Sequence, residues 1–89
     1  MIKIEVTARH IKRGVPDDDL NCPIALAIQD RWPGRYVSVC PDTIQIGKRT
    51  VDTTDEQQAF MARFDRGLPV EPFTFELDEL ALEREETTT

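Results

Sequence analysis

The chain has little of what catalysis or metal binding usually requires. Its 89 residues include one histidine, two cysteines and one tryptophan. Two cysteines and one histidine fall short of the four ligands of a structural zinc site, so no metal is expected. Glycine-rich phosphate loops, GxSxG and HExxH patterns are missing. That removes the usual sequence grounds for a nucleotide site, a hydrolase nucleophile or a zinc protease, and no cofactor or catalytic residue is assigned. No apolar run approaches the roughly 20 residues needed to span a bilayer. The opening Met-Ile-Lys-Ile-Glu-Val alternates apolar with charged residues, unlike a secretory signal. The expectation is a non-membrane, cytoplasmic protein whose thiols stay reduced. No internal repeat occurs.

What is present suits one small domain. Hydrophobic residues at 39% and charged residues at 31% fit a globular chain rather than a disordered one. The net charge of −6 is unevenly placed. Residues 1–70 hold ten basic and ten acidic side chains. Residues 71–89 hold seven acids (Glu71, Glu76, Asp78, Glu79, Glu83, Glu85, Glu86) against Arg84 alone. We therefore expect a single α+β domain over residues 1–77 and an acidic C-terminal tail over 78–89. Acidity at that end opposes nucleic-acid binding, which draws on Lys/Arg neutralising phosphates.

The apolar pattern gives the elements. Ile2, Ile4 and Val6 alternate with Lys3 and Glu5, a strand with one buried face. Thr7 caps a short helical turn over 8–13, closed by Gly14. A helix over 22–32 starts at Asn21 as N-cap, carries the stripe Leu20, Ile24, Ala27, Ile28, and ends at Pro33-Gly34. Strands follow over 36–40, 43–46 and, at an edge, 49–52. Thr53 and Glu56 read as a capping box for a second main helix bearing Phe60 and Phe64, stopped by Gly67. Phe73, Phe75 and Leu77 alternate with Thr74 and Glu76 in a last strand. The order is βαββ(β)αβ, so we expect a small antiparallel sheet of four or five strands with two main helices on one face. A ferredoxin-like split βαβ arrangement has this order.

Few residues invite a chemical reading. Cys22 at a helix start with His10 as base would make a nucleophile, but the aspartates at 17, 18 and 19 oppose a thiolate, and a buried structural role is favoured. The same aspartates lack the spacing of a calcium loop and read as a solvated loop beside a positive helix end. Arg9, His10, Lys12 and Arg13 form the main basic cluster, suited to an acidic or phosphate contact. Trp32, Tyr36, Phe60 and Phe64 read as core or core margin.

Three segments carry a resemblance: His10-Ile11 with Gly14, Cys22-Pro23-Ile24-Ala25-Leu26-Ala27, and Phe64-Asp65-Arg66-Gly67-Leu68-Pro69-Val70-Glu71-Pro72-Phe73. With them the chain resembles small proteins encoded by bacteriophages and related mobile elements, with no established activity to transfer. The resemblance implies a phage accessory protein acting inside a bacterial host cell.

The leading expectation is a non-enzymatic protein-binding module that engages or inhibits a host protein. Its partner contacts would be Arg9, His10, Lys12 and Arg13, together with Glu76, Asp78, Glu79 and Glu83 at the acidic end. Self-pairing into a homodimer through an edge strand is a further expectation. The alternatives are a nucleic-acid-associated protein using the basic turn at 9–13 and a cysteine-dependent enzyme.

Overall fold

A computed structural model describes residues 2–77. The elements are β1 (Ile2–Val6), α1 (Ala8–Arg13), α2 (Pro23–Arg31), β2 (Val37–Val39), β3 (Thr43–Ile46), β4 (Arg49–Asp52), α3 (Asp55–Asp65) and β5 (Phe73–Leu77). The class is α+β and all strand pairing is antiparallel.

The strands divide between two sheets, not the single sheet expected. β1 pairs with β5, from Ile2 opposite Leu77 to Val6 opposite Phe73. β2, β3 and β4 form a separate meander. A long-range hydrogen bond helps to keep the sheets apart. The Val39 N–H, which could extend the ladder beyond β2, donates to the Asp19 carbonyl at 2.8 Å. The loop over 15–21 thus takes that edge of β2, and a ferredoxin-like sheet does not form.

α2 joins the two sheets, packing against β1 and β2. Its Ile24, Ala25, Ala27 and Ile28 are buried among Ile4, Val6, Val37, Val39, Ile44 and Ile46. Leu20, expected in this stripe, is 43% exposed and precedes the helix. Tyr36, expected at the core margin, is 55% exposed and lies outside β2. Trp32 does pack against the core, with the Arg31 guanidinium over its ring at 5.4 Å.

Capping fixes the helix starts, one residue later than expected in both main helices. Pro23 occupies the first turn of α2, and the residue before a proline is held extended, so Cys22 (φ −72°, ψ 161°) becomes the N-cap. Asn21 is drawn instead into a turn closed by Asp18. For α3 the capping box is Thr54 with Gln57, not Thr53 with Glu56. Thr53 is committed elsewhere: its hydroxyl donates to the Pro41 carbonyl at 2.9 Å and its N–H to the Asp42 carbonyl.

α3 ends as its sequence predicts. Gly67 adopts φ +75°, its N–H reaches the Phe64 carbonyl, and the Leu68 N–H reaches the Arg63 carbonyl. These two bonds are the Schellman pattern. Phe60 then stacks on Phe64 and tilts against Phe73 of β5 at 4.8 Å between ring centroids. Arg63 holds the following turn by donating from Nε and Nη2 to the Pro69 carbonyl.

Candidate functional site

The best-formed concavity lies between the 15–21 loop and α3, with a volume of about 360 Å³. That is at the lower end of the usual range for ligand pockets. Phe60, Met61 and Phe64 of α3 line it together with Val39 and Pro41. Cys22 and Pro23 at the start of α2 also line it. Asp17, Asp18, Asp19 and Asp65 supply its charged lining, and no Lys, Arg or His is among the lining residues.

The loop is built to hold that shape. Asp18 Oδ1 accepts from the Leu20 and Asn21 N–H groups, and its Oδ2 accepts from Asn21 Nδ2. Hydrogen bonding from Asn21 foremost, then from the Leu20 N–H, holds the Asp18 carboxyl below its ordinary value of 3.8. Asp17 sits at φ +58°, a left-handed conformation that aspartate tolerates better than most residues. Its N–H donates to Asp65 Oδ1 at 2.9 Å, tying the loop to the last turn of α3. Asp19 accepts from the Cys40 thiol at 3.6 Å. The aspartate run is therefore an organised pocket rim, not simply a solvated loop.

Cys22 is 5% exposed, and its Sγ accepts from the Ala25 N–H at 3.4 Å as the α2 cap. Burial pushes the thiol above its ordinary value of 9.0; the neighbouring carboxylates of Asp65 and Asp19 add to the rise, against hydrogen bonds from the Ala25 and Ile24 N–H groups. His10 is committed elsewhere. Its Nδ1 accepts from the Thr7 N–H at 3.0 Å, so the ring proton sits on Nε2, 2.6 Å from Asp30 Oδ2. Both ring nitrogens are thus engaged, and the Cys22–His10 pair is not assembled. Cys22 and Cys40 are both free thiols.

The basic turn is only partly a cluster. Arg9, His10 and Arg13 line a second depression of about 330 Å³ with Leu26, Gln29 and Asp30, whereas Lys12 is exposed outside it. His10 is buried, and its contact is internal: it acts as the third residue of the α1 capping box and links α1 to α2. Glu76 is exposed on β5 opposite Lys3 of β1 and is not among the residues lining the pocket. Asp78, Glu79 and Glu83 lie outside the described residues.

No family model, curated protein or solved structure matches the chain. The site is therefore read from its own geometry. Among the described residues no helix is long and apolar enough to cross a membrane. No group of three or more His, Cys, Asp or Glu among them is arranged to hold a metal ion, although four carboxylates line one pocket. What this arrangement offers chemically is apolar contact beneath negative charge. Sequence reading missed it because its two halves, the aspartate run and the Phe60/Phe64 stripe, lie some forty residues apart in the chain.

Proposed function

We propose that this chain is a small non-enzymatic protein-binding module that docks a partner at the acid-rimmed pocket between the 15–21 loop and α3. The resemblance to phage proteins supports the finer reading of an accessory factor that engages or inhibits a host protein inside the bacterial cell. The observation that carries the proposal is the pairing of an apolar wall with four carboxylates, and no cationic residue, in the lining of one pocket. Apolar cores ringed by polar groups are the usual form of a protein-docking spot.

Ala62 is exposed and lines this pocket, so Ala62→Trp plugs it without disturbing the core. Immobilised wild-type protein is expected to capture a host protein that Ala62→Trp loses. A variant lacking Arg9, Lys12 and Arg13 should retain it. An unchanged captured set with Ala62→Trp would refute the pocket as the docking face.

A second reading follows from the exposed side chains of Arg9, Lys12 and Arg13 on α1: a nucleic-acid contact. It requires retardation of DNA or RNA at low salt that disappears in the triple alanine variant. Self-association is the remaining partner class. β4 bounds its sheet with no further strand beside it among the described residues, and sedimentation at rising concentration would reveal a dimer.

A further inference from the structure

Building on the reading of this pocket as a docking face, we propose that its occupant is a cation on an apolar stem: a lysine or arginine side chain of the partner protein. Charge complementarity is the first ground. The lining includes Asp17, Asp18, Asp19 and Asp65 and no cationic residue. Asp18 spends both oxygens inside the loop, but Asp17 makes no side-chain hydrogen bond among the described residues, and Asp65 receives only the Asp17 N–H.

The second ground is the apolar wall. Lys and Arg lay their methylene stems along apolar surface while the charged head seeks an anion. Phe60 is buried, but Phe64 is only half-buried in the pocket lining, and an aromatic face attracts a cation directly. The carboxylates of Asp19 and Asp65 also disfavour ionisation of the Cys22 thiol, a lesser contribution than its burial. An acidic or purely apolar side chain would meet only part of this chemistry.

The test is a titration of the full-length protein, followed by NMR, with four pentapeptides of glycine bearing Lys, Arg, norleucine or Glu at the centre. The lysine and arginine peptides should shift Phe60, Met61, Phe64 and Cys22 and bind at least about tenfold more tightly than norleucine, the uncharged near-isostere. That preference should collapse at 1 M salt, where the screening length is about 3 Å. Asp65→Asn keeps the acceptor for the Asp17 N–H, and Asp17→Gly keeps the left-handed turn. Both are expected to fold, to weaken lysine binding severalfold and to leave norleucine binding unchanged. Norleucine binding equal to lysine, or lysine shifts confined to other surfaces, would overturn the proposal. A lysine preference at the pocket beside a captured set indifferent to Ala62→Trp would instead overturn the protein-docking reading alone. A captured partner lost with Ala62→Trp but indifferent to replacement of its own contacting lysines and arginines would sink the cation inference while sparing the docking face.

Discussion

Cys22 shows how one side chain can report on the site without doing chemistry there. Its thiol caps α2 and lines the pocket beside the aspartates. In a Cys40→Ser background, a cationic methanethiosulfonate should modify Cys22 about tenfold faster than an anionic one at low salt, because a cleft of one charge concentrates counter-ions. The ratio should approach one at 1 M salt; a ratio near one throughout would mean that the carboxylates do not govern access. The raised thiol value also has a sign for stability. A thiol that ionises less readily when folded releases more protons on unfolding at alkaline pH. Its contribution is therefore intact below its ordinary value of 9.0 and is lost as pH rises above that. Chemical denaturation from pH 8 to 10 should show a falling stability that Cys22→Ala flattens.

Gly14 answers a different constraint. Its φ of −65° suits any residue, but an added Cβ would lie 2.6 Å from the Pro23 ring. Gly14→Ala must therefore push α1 away from the start of α2, at a cost of about 1–3 kcal/mol. Gly67→Ala meets no atom within 4 Å and suffers only from its φ of +75°, at about 1–2 kcal/mol. Thermal unfolding of both variants separates the two causes. A neutral Gly14→Ala would show that the α1–α2 contact is loose.

Among the elements, the start of α3 was only half legible. Thr53-Thr54-Asp55-Glu56-Gln57 contains two overlapping capping boxes, and local pattern favours neither. Tertiary contacts choose: Thr53 pins the end of β4 to the 41–42 turn, which leaves Thr54 to cap and carries Gln57 to 2% exposure. Thr54→Ala should cost about 1 kcal/mol, lowering Tm by about 4–8 °C in a domain of this size. Thr53→Ala removes exposed bonds and should cost less; the reverse order would restore the Thr53 box. Strands β1, β3, β4 and β5 were fully legible because each alternates sharply or ends at a clear turn. Their grouping was not, since the bond that separates the sheets joins Val39 to Asp19, twenty residues away. Tyr36 and Leu20 misled for a related reason: residue type places them inside, but each lies just beyond its element and is exposed.

Across the whole molecule, charge is arranged at two levels. Locally, the pocket gathers four aspartates while Arg9, Lys12 and Arg13 stand exposed on α1. Globally, residues 78–89 bring five acids against Arg84, so most of the net −6 lies beyond Leu77. At physiological salt the screening length is about 8 Å, so the aspartates that line the pocket itself should set lysine affinity. Among the described residues, the last buried apolar side chain is Leu77, paired with Ile2 at the end of the β1–β5 ladder. A chain ending at Leu77 should therefore unfold within about 4 °C of the full chain. Its lysine-peptide affinity should change less than about twofold, whereas Asp65→Asn weakens it severalfold in either length. A much larger loss of Tm would place residues 78–89 within the folded unit and move the domain boundary past 77. A large loss of affinity with Tm intact would make Asp78, Glu79 and Glu83 part of the binding face, returning the acidic end to the role its sequence first suggested.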